Sequence, residues 1–268
     1  MGVPYAEVIG DPIAHSKSPA IHKFWLEATS MEGDYRATQV RKADLVPYLA
    51  ERRADPDWRG CNLTMPLKAE VAPLLDGSFP AAAAAGAVNT VFRHGEKLIG
   101  NNTDLRGFAE PFRDVHQARG SALILGAGGA ARAVFIALAG LGFEPVRVMA
   151  RKPLVRSGGH PSFMRHAWLP MERLLPAADL VVNATPIGMA GGPQLDFDLS
   201  QLPSGACAYD LVYNPLETPF LAAARRRGLR TIDGLAMLIG QAAWAFTHFF
   251  EADPPRELDG ALRELLTQ

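Results

Sequence analysis

The chain has 268 residues, 48% of them hydrophobic and 21% charged, with 27 Lys and Arg against 28 Asp and Glu. A formal net charge of −1 gives no support for nucleic-acid binding by bulk charge, and the length accommodates two domains of roughly 100–150 residues each. The two cysteines, Cys61 and Cys207, lie in apolar runs without metal-ligand spacing and read as reduced, buried thiols of a cytosolic protein.

The opening "MGVPYAEVIG" lacks a basic region followed by an apolar one, so no signal peptide is expected, and Ala6 argues against myristoylation. The longest apolar stretch, 121–143, contains Arg132 and many glycines and reads as strand, turn and helix rather than a membrane span. Strands are predicted near 4–9, 35–40 and 58–63, alternating with helices near 18–29, 43–54 and 66–75. In the last of these Pro66 would open the helix, leaving Lys68 in a first turn whose dipole disfavours a cation. Such a lysine is either a solvated surface group or one aimed at a substrate. "AAAAAG" at 81–86 predicts a short packed helix, because alanine is the best helix former. "VNTVFRHGEKLIGNNTD" predicts a hairpin around His94-Gly95, followed by a helix near 104–117. A second sheet is then expected from "SALILGAGG", "PVRVMA", "DLVVNAT", "CAYDLVY" and "LRTID", with closing helices at 234–250 and about 255–266. This alternation predicts α/β architecture with mainly parallel sheets.

"ALILGAGGAARAVFIALAGLG" is a strand, a glycine turn and a helix. Gly126, Gly128 and Gly129 let backbone approach a pyrophosphate, and the helix N-terminus favours its charge. Ala131 stands where the dinucleotide fingerprint has its third glycine or alanine. The next strand ends at Ala150, Arg151 and Lys152, with Arg156 beyond. No carboxylate is offered to a ribose 2′-hydroxyl, and basic groups suit a 2′-phosphate, so NADP is the expected cofactor. Four polar clusters remain: "HSKSP" (15–19), "NLTMPLK" (62–68), "AVNT…NNTD" (87–104) and "DGLAMLIGQ" (233–241). Singly each has a structural reading: Ser18 before Pro19 as a helix N-cap, Asn89 satisfying a turn, Asp104 capping the next helix, Gln241 bonded within the core. Together they supply hydroxyls, amides, one ammonium and one carboxylate, a set suited to a small polyhydroxylated acid.

"GDPIAHSKSPAIH", "NLTMPLK", "AGAVNT", "NNTD", "GAGGAAR", "NATPIGM", "YDLVYNPLETPFL" and "DGLAMLIGQAAWAF" follow one another from about Tyr5 to Phe249. In these motifs and their order the chain resembles the shikimate dehydrogenase family. The resemblance implies that Ser16 and Ser18 hold the substrate carboxylate. It places Thr64, Asn89, Asp104, Tyr213 and Gln241 around the ring hydroxyls and makes Lys68 the catalytic lysine, with Asp104 as its partner. Gly126, Ala127, Gly128, Gly129 and Ala130 would bind the pyrophosphate, and Arg151 with Lys152 the 2′-phosphate. Thr185, Leu211, Gly234 and Met237 would lie near the nicotinamide half. Ala150-Arg151-Lys152 departs from the family's frequent Asn-Arg-Thr, and Leu105 follows "NTD" where glycine is frequent. The implied fold is a substrate-binding α/β domain over 1–104, completed by helices of 236–268. A Rossmann-type NADP-binding domain spans 105–235, with a cleft between the two. The implied activity is NADP-dependent reduction of 3-dehydroshikimate to shikimate by a cytoplasmic monomer or homodimer. A catabolic quinate/shikimate dehydrogenase and a non-catalytic ligand-binding relative are the alternatives; the presence of both Lys68 and Asp104 speaks against the second.

Overall fold

The computed structural model describes residues 2–113, 120–150, 163–166, 174–195 and 198–268, which fall into two units: Met1–Gly107 with Ile239–Gln268, and Phe108–Leu238. In chain order the first unit begins β1 (Tyr5–Gly10), α1 (Ser18–Ala28), β2 (Asp34–Gln39), α2 (Leu45–Ala54) and β3 (Trp58–Leu63). It continues with β4 (Gly77–Ser78), α3 (Pro80–Ala85), β5 (Thr90–His94), β6 (Lys97–Asn101) and the start of α4 (Asp104–Ala109). Its six-stranded sheet has the order β2-β1-β3-β5-β6-β4. β1 pairs in parallel with β2 and β3, whereas the hairpin makes the β3–β5 and β5–β6 pairs antiparallel, so this sheet is mixed.

Two expected helices are shorter than their apolar patterns suggest. The segment 66–75 is not an α-helix but two three-residue 3-10 turns, Leu67–Ala69 and Ala72–Leu74. Pro73 is the physical reason: it has no N–H for the carbonyl four residues back, and its ring crowds that carbonyl. Lys68 therefore lies in a single tight turn, and the expected conflict with a helix dipole does not arise. The helix begun at Asp104 gives way to a 3-10 turn over Glu110–Phe112, where Pro111 likewise withholds a donor; residues 114–119 lie outside the described residues.

The second unit carries β7 (Gly120–Leu125), α5 (Gly129–Gly140), β8 (Phe143–Met149), β9 (Phe163–His166), β10 (Leu180–Asn183), β11 (Cys207–Asp210), α6 (Pro219–Arg226) and β12 (Arg230–Ile232). All its pairs are parallel, in the order β12-β11-β10-β7-β8-β9. Counted from β7, this is the 3-2-1-4-5-6 order of a Rossmann-like doubly wound sheet, whose switch point lies between β7 and β10. The central strands read as continuous apolar runs because both faces are covered: Leu123, Leu125, Val181 and Ala208 join Leu175, Phe220 and Leu221 in one core.

α7 (Gly234–Phe250) and α8 (Asp259–Thr267) end the chain. The period-2 alternation of β1 divides the first unit's core. Tyr5 and Ile9 pack with Leu45, Tyr48 and Leu49 of α2 on one face, and Ala6 and Val8 with Tyr35, Phe92, Ala245 and Phe249 on the other. Gly60 admits that second layer: a Cβ there would lie 2.6 Å from the Phe249 ring and would collide with the Val91 carbonyl oxygen. Among the described residues no helix is long and apolar enough to cross a membrane. Both cysteines are buried free thiols, and burial pushes Cys207 up to about 11.

His22 is fully buried on this second face, stacked on Tyr35 with ring centroids 3.9 Å apart, and neither ring nitrogen has a hydrogen-bond partner among the described residues. Burial pushes its imidazole down from 6.5 to about 3. Because the folded value lies below the unfolded one, the unfolded chain takes up a proton the folded chain refuses. Stability from this group is therefore intact above pH 6.5 and declines until about pH 3. At pH 5 the loss amounts to about 2 kcal/mol. Denaturant unfolding of the native chain and of His22→Phe at pH 7 and pH 5 checks this; the variant should lose that much less, and equal losses would contradict it.

Candidate active site

The polar groups of the first unit gather at the carboxyl ends of β1 and β3. Thr64 follows β3 directly, its N–H donating to the Ile9 carbonyl at 2.9 Å and its own carbonyl accepting from Leu67. Lys68 is fixed one turn later, where its carbonyl accepts from the Val88 N–H at 2.8 Å. That bond sets Asn89 beside it: the Asn89 carbonyl accepts from Leu63 at 2.8 Å and its N–H donates to Asn101 at 3.1 Å. Asp104 is positioned at the start of α4 by the Asn102 side chain, which accepts from the Asp104 N–H at 3.1 Å and donates to the Ala87 carbonyl at 2.9 Å.

Lys68 Nζ donates to Asp104 Oδ2 at 2.7 Å; the lysine side chain keeps 20% of its surface and the aspartate 6%. Asn89 Nδ2 donates to the other carboxylate oxygen at 2.7 Å and lies 3.5 Å from Gln241 Oε1. Asp104 is therefore held on both oxygens, while an ammonium, which carries three donors, has its charge partly open to solvent. Ser16 and Ser18 stand at the entry to α1. The Ser18 N–H donates to Ser16 Oγ at 3.3 Å, so Ser16 serves the helix start that the sequence assigns to Ser18, and Ser18 itself is buried in the first turn.

Of the predicted site residues, Lys68, Asp104, Asn89 and Gln241 are thus linked in series, with Thr64 just after β3 and Ser16 and Ser18 at the start of α1. The polar clusters read from the sequence contain Asn62, Thr90 and Thr103 but give them no individual role; all three are buried and bonded into this cluster. The hint is the density of Asn and Thr in "CNLT", "AVNT" and "NNTD".

In the second unit Gly126 has φ +113°, and a Cβ there would lie 2.8 Å from the Ala184 carbonyl oxygen. Only glycine fits this close approach of β7 to the loop after β10. Ala127 follows, then Gly128 as the extended cap of α5, with open space beside it, and Gly129 and Ala130 form the first turn. The first amides of a helix have no intrahelical acceptor, so this cradle fits a dinucleotide pyrophosphate.

A buried network shapes the loops nearby. Asp210 accepts from Asn183 Nδ2 at 2.8 Å, from the Val212 N–H at 3.0 Å and from Thr218 Oγ1 at 2.7 Å, while burial holds its carboxyl above the usual range. Asn183 in turn accepts from Thr185 Oγ1 at 2.7 Å. The network thereby fixes Thr185 and the chain from Leu211 to Tyr213, a half-buried tyrosine whose phenol is pushed up by burial. Gly234 abuts the Leu211 and Val212 carbonyls, where a Cβ would lie 2.5 Å from each oxygen, and Met237 is buried in the next turn. Arg151, Lys152 and Arg156 lie outside the described residues.

A Rossmann-like unit with a dinucleotide-type turn, together with an α/β unit holding a lysine–aspartate site, defines the class: a two-unit α/β protein of the nucleotide-binding kind. A family model described as the shikimate dehydrogenase substrate binding domain matches residues 8–91. The shikimate dehydrogenase (NADP(+)) of Sphingopyxis alaskensis is 52% identical over 98% of this chain and 97% of its own, and that of Mesorhizobium japonicum 41% over 97% and 95%. The chain belongs to the shikimate dehydrogenase family. Among solved structures, shikimate 5-dehydrogenase from Thermus thermophilus, in complex with NADP(H) and shikimate, matches with TM-score 0.86 and 38% identity, covering 97% of this chain and 99% of that one. Quinate dehydrogenase from Corynebacterium glutamicum, in complex with NAD, matches with TM-score 0.88 and 31% identity over 99% of each chain.

Proposed function

We propose that this protein is an NADP-dependent shikimate dehydrogenase, catalysing the reversible reduction of 3-dehydroshikimate to shikimate in the cytoplasm. It acts as a monomer or homodimer, without nucleic acid as a partner. The first unit binds the substrate and the second binds NADP. The observation that carries the reading is the Lys68–Asp104 pair, 2.7 Å apart and braced by Asn89, in a chain 52% identical to a shikimate dehydrogenase.

Reducing a ketone requires hydride at carbon and a proton at oxygen. NADPH supplies the hydride when bound. Lys68 polarises the carbonyl and assists the proton transfer, while Asp104 orients the ammonium and offsets its charge. Ser16 and Ser18 receive the carboxylate; Thr64, Asn89, Tyr213 and Gln241 receive the ring hydroxyls. The cradle at Gly126–Ala130 receives the pyrophosphate, with Thr185, Leu211, Gly234 and Met237 toward the nicotinamide. A steady-state comparison of shikimate and quinate, each with NADP and NAD, tests this reading. Shikimate with NADP should give the highest kcat/KM; a preference for quinate with NAD would move the protein to the function named for the Corynebacterium relative.

Cofactor choice carries its own prediction. Arg151 is assigned to the 2′-phosphate, and a charge-assisted hydrogen bond contributes about 1.5–3 kcal/mol. NADP should then be favoured over NAD by roughly 10–100-fold. Arg151→Ala should remove most of that preference by weakening NADP and leaving NAD nearly unchanged. Equal kcat/KM for both cofactors in the unmutated enzyme would show that the basic segment plays no part.

A further inference from the structure

The cluster around Asp104 continues inward as one directed chain of hydrogen bonds. Its direction is set by a backbone group: the Thr103 N–H donates to Asn89 Oδ1 at 2.7 Å, so the Asn89 amide nitrogen must face Asp104. Asn89 Oδ1 also accepts from Thr90 Oγ1 at 2.9 Å, which leaves the Thr90 oxygen to accept from Asn62 Nδ2 at 3.0 Å. Asn62 Oδ1 then accepts from the Tyr35 hydroxyl at 2.6 Å. Every link from Tyr35 through Asn62, Thr90 and Asn89 donates toward the carboxylate that Lys68 meets from the other side.

Sheet register makes this reach possible. Asn62 and Thr90 are direct cross-strand partners of β3 and β5. Tyr35 on β2 stands level with Ala6 on β1 and, beyond it, Gly60 on β3, and these two small residues let the ring lie across the sheet toward Asn62. The ring is clamped by His22, stacked at 3.9 Å and 1°, and by Phe249 at 6.3 Å. Burial pushes the Tyr35 phenol far above its ordinary value, so it remains a donor throughout the working range.

We infer that Tyr35 is a positioning residue for the Lys68–Asp104 pair, acting through Asn62, Thr90 and Asn89; this rests on the functional reading above. Two links are amides, which do not ionise, so the chain orients and polarises Asn89 and conducts no proton. Donors aligned in series polarise one another, so loss of the far hydroxyl loosens Asn89 on the carboxylate without touching substrate.

The test compares Tyr35→Phe, Thr90→Val and their double mutant in the full-length protein, with Tyr48→Phe as the control for a buried hydroxyl outside the chain. Two readouts are taken: the NMR resonances of the Asn89 side-chain amide, and kcat and KM for shikimate with NADP. Tyr35→Phe should move the Asn89 amide protons upfield and lower kcat by roughly 5–10-fold, about the worth of one hydrogen bond, with KM within about twofold. Thr90→Val should do the same, Thr90→Ser should restore both, and the double mutant should be no worse than Thr90→Val alone. The inference is overturned if Tyr35→Phe matches Tyr48→Phe in both readouts, or if the two losses multiply. Absence of shikimate turnover in the unmutated protein would instead overturn the functional reading, and the Asn89 resonances would still decide the chain.

Discussion

Replacing Lys68 by alanine should lower kcat for shikimate oxidation by roughly 10²–10⁴-fold, the usual contribution of a positioned general acid–base, with NADP affinity nearly unchanged. The fold has little stake in this ammonium. Its side chain is a fifth exposed, and the tight turn Leu67–Ala69 is held by backbone bonds, Leu67 to Thr64 and Val88 to Lys68, that alanine keeps. The variant does leave Asp104 as a buried carboxylate without its cation, still braced by Asn89, so some loss of stability accompanies the loss of rate. Measuring kcat together with the unfolding midpoint separates the two. A folded Lys68→Ala protein with near-native kcat would end the assignment of the proton step to this residue.

What the sequence reveals of this molecule depends on how local each cause is. The strand, glycine turn and helix from Ser121 to Gly140 are legible because everything they need is contiguous: an apolar run, glycine where the backbone turns, then small residues with helical preference. The breakdown of helix 66–75 is equally local, since Pro73 is visible in the sequence, yet the apolar spacing around it masks the missing donor. β4 and β9 escape prediction for another reason. Two residues, Gly77–Ser78, and four, Phe163–His166, are too short to display alternation, and pairing with β6 and β8 defines them. Lys68 and Asp104 are 36 positions apart and meet through the pairing of β3, β5 and β6, so no spacing rule joins them; only the family motifs do. Thr90 and Asn62 are hidden as ordinary polar strand residues. Their importance comes from facing each other across two strands, which register alone decides.

Asp104→Asn should lower kcat by roughly 10–10³-fold while leaving the protein folded. An amide is nearly the same shape as the carboxylate, and its oxygen can still accept from Asn89 Nδ2, now 2.7 Å from Asp104 Oδ1. Its nitrogen would then face Lys68 Nζ across the 2.7 Å that separates ammonium and carboxylate oxygen in the native pair, donor against donor. Lysine must turn away, and no anion offsets its charge in a site where Asp104 is only 4% exposed. The loss therefore falls on the orientation of Lys68, which matters in the reacting state, so kcat should fall far more than KM rises. Stability should fall somewhat, because the Lys68 ammonium loses its anion, but its side chain is a fifth exposed and can turn toward water, so the protein stays folded. Combining the substitution with Lys68→Ala gives the decisive measurement. Two residues acting as one unit give strongly non-additive losses, so the double mutant should be scarcely slower than Lys68→Ala alone. Losses that multiply would mean that Asp104 acts on the substrate independently of the lysine.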